Sequence, residues 1–492
     1  MAKAHLKPAS AAHDMHEPVP HLLKRLGLTP TELVNDSRKA MPGKVFVAYP
    51  GEARDGRDFI AQAVAQRVDG VLWEADHYLW DPALATPNAG VVDLKARIGD
   101  IAAHVYGEPS RALHMVGITG TNGKTSVAHW LAQTFTQLGR KTAIIGTAGN
   151  GFPGALTPAL NTTPDAIELQ QRLAFYRQQG ATACAMEVSS HGLVQGRANG
   201  TAFNVAVLTN LSRDHLDYHG DMDSYAAAKA QLFSWPGLAS VVLNLDDAFG
   251  QQLESSIRSA RVAGYGFQRG AVVAENLRLS QHGLHLRART DWGNAEIDAP
   301  LLGRFNAANL LAVLTTLLVS DVKLEDACQA LAHIQPPPGR MQTLGGNAHP
   351  LVVVDYAHTP DALEKVLATL REIVSGGRLI CVFGCGGNRD SGKRPLMGGA
   401  AAQGADEVWV TSDNPRNEDP RRIIDDILAG VSGKPHIESD RARAIFEAIG
   451  LAHQGDVVLI AGKGHEDYQE IAGERHPFSD VAVAKKALEA WT

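Results

Sequence analysis

Cysteine is scarce, with four in 492 residues: Cys184, Cys328, Cys381 and Cys385, each inside or beside an apolar run. They form no even ladder of spacings, which excludes a secreted disulfide framework and points to a reducing compartment, the cytoplasm. Cys381 and Cys385 have one residue too many between them for a CxxC metal knuckle and no second pair, so they read as a strand cysteine and a loop cysteine. Long apolar runs are missing too. No stretch approaches the ~18 consecutive apolar residues of a membrane span. The opening thirty residues mix Lys, His, Pro and Glu without an apolar centre, so a flexible extension is expected there rather than a signal peptide. A basic excess is also absent: 46 Lys and Arg against 53 Asp and Glu give a net charge of −7, which removes nucleic acid as the main partner.

What is present is length for about three domains and 48 glycines, an excess over the ~7% norm that suggests tight turns and backbone meeting ligand. Up to about residue 112 a turn cluster, a strand at Val45 to Ala48, the charged loop GEARDGRDF, a helix at Phe59 to Arg67 and a strand at Gly70 to Trp73 form a small α/β unit. From 113 to 338, longer strands alternate with amphipathic helices, as in a parallel sheet wound by helices. The run IQPPPGR then stiffens the backbone, and Pro336 to Gly339 read as a hinge. From 339 to 492, strands at Leu351 to Asp355, Leu379 to Phe383, Glu407 to Thr411 and Val457 to Ala461 alternate with helices. That is an open doubly wound pattern, in which ligands gather beyond the strand carboxyl ends.

The sharpest chemical signal is HMVGITGTNGKTSVAHWLAQTF, a strand running through a glycine loop into a helix whose Val127, Trp130, Leu131 and Phe135 share a face. Backbone amides and the helix start suit anionic phosphates, Lys124 the terminal phosphates and the Thr125 hydroxyl Mg²⁺, although Ile118 stands where GxxxxGK[ST] wants glycine. Glu187 ends one later strand, and Asp214, His215, Asp217 and His219 follow another, positions that serve either Mg²⁺ or ordinary capping and solvation. On spacing alone Lys229 reads as an exposed helical charge, and Thr162 and Thr163 as a strand end and helix cap. Arg389 and Arg416 sit on turns where a planar guanidinium suits a carboxylate, or simply water.

Taken in order, GTNGKTS (120 to 126), EVSSHGL (187 to 193), LTNLSRDHLDYHG (208 to 220), GRFNAANLLA (303 to 312) and DYAHTPD (355 to 361), together with the DSR turn at 36 to 38, resemble the Mur ligases of peptidoglycan synthesis. DNPR (413 to 416) and GKGHEDYQ (462 to 469) resemble the branch of that family that adds meso-diaminopimelate. The resemblance implies three α/β domains: a UDP-binding one at 1–112, a central P-loop parallel-sheet ATPase at 113–338 and a Rossmann-like amino-acid-binding one at 339–492. It implies an ATP- and Mg²⁺-dependent cytoplasmic ligase, monomeric, with no nucleic acid partner and no membrane insertion. Its small-molecule substrates would be UDP-MurNAc-L-Ala-D-Glu and meso-diaminopimelate.

By the same resemblance Gly120, Thr121, Asn122, Gly123, Lys124, Thr125, Ser126, Asn306, Arg340 and Asp355 serve ATP. Asn35, Ser37, Glu52, Ala53 and Arg54 meet the UDP end, with Asn161, Thr162, Thr163, Ser189, Gln195 and Arg197 on the muramoyl dipeptide. Arg389, Asp413, Asn414, Pro415, Arg416, Gly462 and Glu466 seat diaminopimelate. Lys124, Glu187, His215 and Lys229 are catalytic, with Thr125, Glu187, His215 and a carbamylated Lys229 holding metal. Two departures from the family pattern are Asn35 before DSR, which bears on uracil packing, and Asn388 before Arg389, which bears on how that arginine is oriented. Rival readings are the lysine-adding branch or the folylpolyglutamate synthetases, both disfavoured by DNPR, and a phosphate-loop regulatory ATPase, which would not need substrate-type loops in a further α/β unit.

Overall fold

The computed structural model describes residues 18–25, 30–52 and 54–491. Three parallel-strand sheets carry the chain. The first joins Leu33–Val34, Val45–Ala48, Gly70–Glu74 and Asn88–Val91 side by side in chain order, all parallel. Val19–Arg25 is a helix whose Leu22 and Leu23 are buried in the core of this unit. The expected flexible extension is therefore corrected at its end, because two leucines had apolar surface to bury; residues 1–17 and 26–29 lie outside the described residues.

The middle sheet has eleven strands. His114–Thr119 lies at its heart, parallel to Ala183–Glu187 on one side and Val205–Leu208 on the other. The register sets Ile118 opposite Glu187 and Thr119 opposite Leu208, so the loops that follow all three strands leave the sheet together. The sheet is not parallel throughout. Val272–Ser280, Gly283–Thr290 and Gly293–Ala299 form an antiparallel meander at one edge, and Gly149–Phe152 with Ala155–Thr157 a hairpin at the other. Such edges arise where a short turn reverses the chain with no helix to cross over.

Lys124–Gln137 is the helix after the glycine loop. Val127, Trp130, Leu131 and Phe135 are buried against Leu310, Leu314 and Leu317 of Arg304–Val319. Each such side chain contributes about 1.5–3 kcal/mol of burial, which holds the helix start rigidly over the sheet. The helix also holds the connection to the last unit, since Trp130 Nε1 and Gln133 Nε2 both donate to Gln335 O at 3.0 Å.

The last sheet runs in the order Gln342–Gly345, Leu351–Asp355, Val457–Ala461, Leu379–Phe383, Glu407–Val410 and His436–Ile437. All pairs are parallel except the first. A two-stranded hairpin, Tyr468–Ile471 with Glu474–Pro477, leans on the carboxyl ends of its strands. Cys381 and Cys385 are both buried, as expected of a strand and a loop cysteine.

Candidate active site

The glycine loop closes tightly. Gly120 and Gly123 take φ of +144° and +86°, and a Cβ would lie 1.9 Å from Thr209 Oγ1 at the first and 2.3 Å from Asn309 Oδ1 at the second. Only glycine permits both the conformation and the approach. The strand 205–208 side fastens the loop: Thr121 N donates to Asn210 O at 2.9 Å, Asn122 N to Asn210 Oδ1 at 3.0 Å, and Thr209 Oγ1 to Asn122 O at 2.6 Å. Thr125 is buried and Ser126 half-buried at the helix start.

Two lysines converge here. Lys124 Nζ donates to Gly120 O at 2.8 Å and Thr121 O at 2.9 Å, and Lys229 Nζ donates to the same Gly120 O at 2.9 Å. Lys229, from the helix Met222–Ala230, is only 1% exposed and lies 4.4 Å from the centre of the Tyr225 ring. The surface reading of Lys229 is thereby overturned: Tyr225, Ala228 and Lys229 share the buried helix face. Burial, then the charge of Lys124, push the Lys229 amine down to about 6, so it is largely neutral near pH 7. Burial also lowers Lys124, against the pull of Glu187 and Asp214.

Glu187 is 1% exposed, with Oε1 accepting from Thr147 N at 2.9 Å and Oε2 from Thr147 Oγ1 at 3.0 Å. Among the described residues it makes no ion pair. His215, at φ +53°, sits 3.4 Å from Asp214 Oδ2 and 4.9 Å from the His191 ring. Burial first, then Lys124 and Lys229, hold it below the usual histidine range. Among the described residues no three His, Cys, Asp or Glu side chains gather into a metal cage. An unpaired buried carboxylate near a threonine hydroxyl nevertheless suits a hard cation that takes few protein ligands and fills its shell with phosphate and water.

The UDP-side residues are only partly assembled. Glu52 Oε1 accepts from Gln195 Nε2 at 2.6 Å and from Tyr218 OH at 3.2 Å. Arg197 Nε donates to Gln195 Oε1 at 2.7 Å and its Nη1 to Thr163 O at 3.0 Å. This string ties the first unit to the middle one. Thr163 is fully buried; its Oγ1 donates to Glu187 O at 3.0 Å and accepts from Ser189 N at 3.0 Å. It therefore shapes the site from behind, while Thr162 reaches Thr147 Oγ1 at 3.0 Å and Asn161 is exposed. Ser37 spends its hydroxyl on Gln62 at 3.0 Å, Asn35 lies 3.5 Å from Tyr49 OH, Arg54 is exposed, and Ala53 lies outside the described residues.

Between the middle and last units, Asn306 Nδ2 donates to Leu302 O at 2.9 Å and its Oδ1 accepts from Asn309 Nδ2 at 3.3 Å. Arg340 lies over Tyr356 at 4.9 Å. Asp355 accepts from Met341 N and Ala357 N, each at 2.8 Å. Burial raises its carboxyl, and Arg340 opposes that shift.

At the carboxyl ends of the last sheet, Arg416 takes φ +51°, a conformation that costs about 1–2 kcal/mol in a non-glycine residue and clusters at functional sites. The turn is bolted in place: Arg416 N donates to Glu470 O at 2.9 Å, Arg416 Nη1 to Gly387 O at 2.8 Å, and Nε lies 3.5 Å from Glu470 Oε2. Arg389 is exposed and free of any ion pair among the described residues; its Cγ and Arg416 Nη1 flank the Cβ direction of Gly386, at 3.9 and 3.0 Å. Asn388 takes φ +52° and accepts from Asn417 N at 3.0 Å, which ties its turn to the DNPR turn. Asp413, Asn414 and Pro415 are buried behind Arg416, and a Cβ on Gly462 would lie 2.6 Å from Asp413 Oδ2. Glu466 Oε2 accepts from Asn414 Nδ2 at 2.8 Å.

Sequence reasoning missed Thr147, Tyr218, Asn309 and Lys463. Asn309 was findable, since it sits one helical turn beyond Asn306 and thus on its face. A cavity of about 1080 Å³ lined by Asp100, His104, Asn199 and Trp235 holds none of the motif residues. The chemistry lies instead where the loops converge.

The Mur ligase middle domain matches residues 118–317, and the Mur ligase glutamate ligase domain residues 339–464. The chain is 56% identical over 477 residues to the UDP-N-acetylmuramoyl-L-alanyl-D-glutamate–2,6-diaminopimelate ligase of Chromobacterium violaceum, covering 96% of this chain and 97% of that one. It is 50% identical to the protein of the same name from Nitrosomonas europaea, at 95% and 94% coverage. A solved structure of a ligase so named superposes with TM-score 0.72 at 39% identity over 94% of this chain and 95% of that one. The MurF ligase of Thermotoga maritima in complex with ADP shares the fold, with TM-score 0.62 at 18% identity, 94% of this chain and 98% of that one. Matched over both domains, and at 50–56% identity to curated relatives along almost its whole length, the chain belongs to the Mur ligase family.

Proposed function

We propose that the chain joins meso-2,6-diaminopimelate to the D-glutamate γ-carboxylate of UDP-MurNAc-L-Ala-D-Glu, converting ATP to ADP and phosphate. The observation that carries this is the convergence of Lys124 and Lys229 on one loop carbonyl beside buried Glu187, with two arginine turns in the neighbouring unit; the names of relatives at 50–56% identity support it. A carboxylate is a poor electrophile. Its oxygen therefore attacks the γ-phosphorus while the bond to ADP breaks, and the amine then attacks the acyl carbon, losing a proton and expelling phosphate. Lys124 and the loop amides disperse charge on the transferred phosphoryl group. Bound Mg²⁺ would add Lewis-acid neutralisation of the phosphate oxygens, held by Thr125, Glu187, His215 and a Lys229 carbamate. Asn306, Arg340 and Asp355 would line the nucleotide.

Glu52 with Gln195 and Arg197 would hold the UDP-muramoyl dipeptide across the first two units, taken as 1–112 and 113–338. The unit 339–492, pivoting at Pro336 to Gly339, would bring the amino acid to the acyl phosphate. All three substrates would meet residues of one chain, which suits a cytoplasmic monomer; among the described residues no helix is long and apolar enough to cross a membrane. The test is oxygen tracing. With both γ-carboxylate oxygens labelled as ¹⁸O, one should appear in the released phosphate, and unlabelled phosphate would reject the acyl phosphate.

Arg416 would pair with the distal carboxylate that diaminopimelate has and lysine lacks. Arg416→Lys should raise the KM for diaminopimelate roughly 10- to 100-fold, because a planar fork is replaced by a point charge, and leave the KM for ATP alone. Equal effects on both would remove this role.

A further inference from the structure

Lys463 has a fully buried side chain, yet it is a cation at the carboxyl end of strand Val457–Ala461. Its Nζ donates to Asn414 Oδ1 at 2.9 Å and to Glu466 Oε2 at 3.1 Å, and lies 3.8 Å from Asp413 Oδ1 and 5.5 Å from the centre of the Tyr468 ring. Asn414 closes the circuit. Its Nδ2 donates to the same Glu466 Oε2 at 2.8 Å, while its Oδ1 also accepts from Glu470 N at 2.9 Å, which carries the hairpin onto the DNPR turn. One oxygen of Glu466 thus holds two donors, and Oε1 holds none among the described residues.

A buried ammonium persists only where it is paired and hydrogen-bonded. Asp413 and Glu466, on facing loops, both bring a carboxylate to this one ammonium, at 3.8 and 3.1 Å. Lys463, to which neither motif assigned a substrate role, thus joins the direct Asn414–Glu466 bond in linking DNPR to the GKGHED loop.

We propose that Lys463 is a positioning residue for the amino-acid substrate: it pins Glu466 through Oε2 and orients Asn414, leaving the free carboxylate oxygen to meet the ammonium group of a diamino acid. This inference rests on the reading of these loops as the diaminopimelate seat. Lys463 makes no contact with the reacting atoms and acts through Glu466 and Asn414.

The experiment is steady-state kinetics on the full-length chain carrying Lys463→Met, Glu466→Gln or both, with each substrate varied in turn. Lys463→Met should raise the KM for diaminopimelate roughly 10- to 100-fold, the range for losing a charged buried hydrogen bond, with the KM for ATP unchanged and kcat at saturating diaminopimelate reduced far less. The double variant should be little worse than Glu466→Gln alone, since coupled residues do not add. Lys463→Gln, which keeps a donor without the charge, replaces the methionine variant if that chain does not fold. An unchanged KM for diaminopimelate, a loss shared equally with ATP, or effects that multiply independently would overturn the positioning role. Arg416→Lys and Glu466→Gln separate the two claims: if they raise that KM while Lys463→Met does not, the seat stands and only Lys463 loses its role. If none of the three moves it, the seat itself is wrong.

Discussion

Lys124→Met should abolish phosphate release, by roughly 10³-fold or more in kcat, the scale on which losing a preorganised charge stabiliser is felt in phosphoryl and acyl transfer. In the structure the lysine is curled onto its own loop, with Nζ on Gly120 O and Thr121 O. Those carbonyl bonds are ones an incoming anionic phosphate can replace, because burial already makes the ammonium costly to keep. Methionine is one atom shorter but fills nearly the same volume without a charge, so the loop should stay folded. Binding of the nucleotide-sugar dipeptide, measured by calorimetry, should be preserved, since Glu52, Gln195 and Arg197 lie in a separate network. Retained turnover would remove the phosphate-cradle role.

Lys229→Ala should cost nearly as much, and should be partly rescued by bicarbonate or a short carboxylic acid. On the proposed carbamate role, the neutral amine would attack CO₂ through its lone pair, form a nitrogen–carbon bond and lose a proton to solvent, leaving a carbamate anion where a cation would have stood. An exposed lysine at pH 7 is almost wholly protonated and cannot do this; one brought down to about 6 can. Stability gives a second readout in CO₂-free buffer. The folded amine titrates near 6 and the unfolded one near 10.5, so between those values the unfolded chain binds more protons and stability rises with pH. Lys229→Met removes that cost, so its Tm should exceed that of the unsubstituted chain by more at pH 7 than at pH 10. No rescue together with no gain in Tm would return Lys229 to an ordinary structural lysine.

The parts of this site legible in the sequence were those carried by local pattern. Strand, glycines, Lys124, Thr125 and an amphipathic helix lie within one short stretch, and that helix forms at Lys124–Gln137. Arg416 stood out because a DNPR turn follows a strand. Lys229 was illegible for a physical reason: its helix, MDSYAAAKA, has little apolar contrast between its faces. Only the Tyr225, Ala228, Lys229 spacing hinted at a buried side, and packing on the phosphate loop, far away in sequence, decided it. At Thr163 pattern showed the motif but not the packing: its buried hydroxyl bonds Glu187 O and Ser189 N, partners more than twenty residues away. The antiparallel meander at Val272 to Ala299 was readable in part, for Leu284 to Arg289 alternates apolar and polar residues. Lys463, flanked by Gly462 and Gly464, carried no pattern of its own; its role emerges only when two loops meet.

The most direct test of the whole account is phosphate release from ATP and Mg²⁺ with the nucleotide-sugar dipeptide present or absent, and with diaminopimelate or lysine as the amine. Release is expected only when ATP, the dipeptide and an amino acid are all present, with kcat/KM for lysine lower by at least about 10², because lysine has no distal carboxylate for the half-buried Arg416 guanidinium to bind. Release from ATP alone, or equal turnover with lysine, would contradict it.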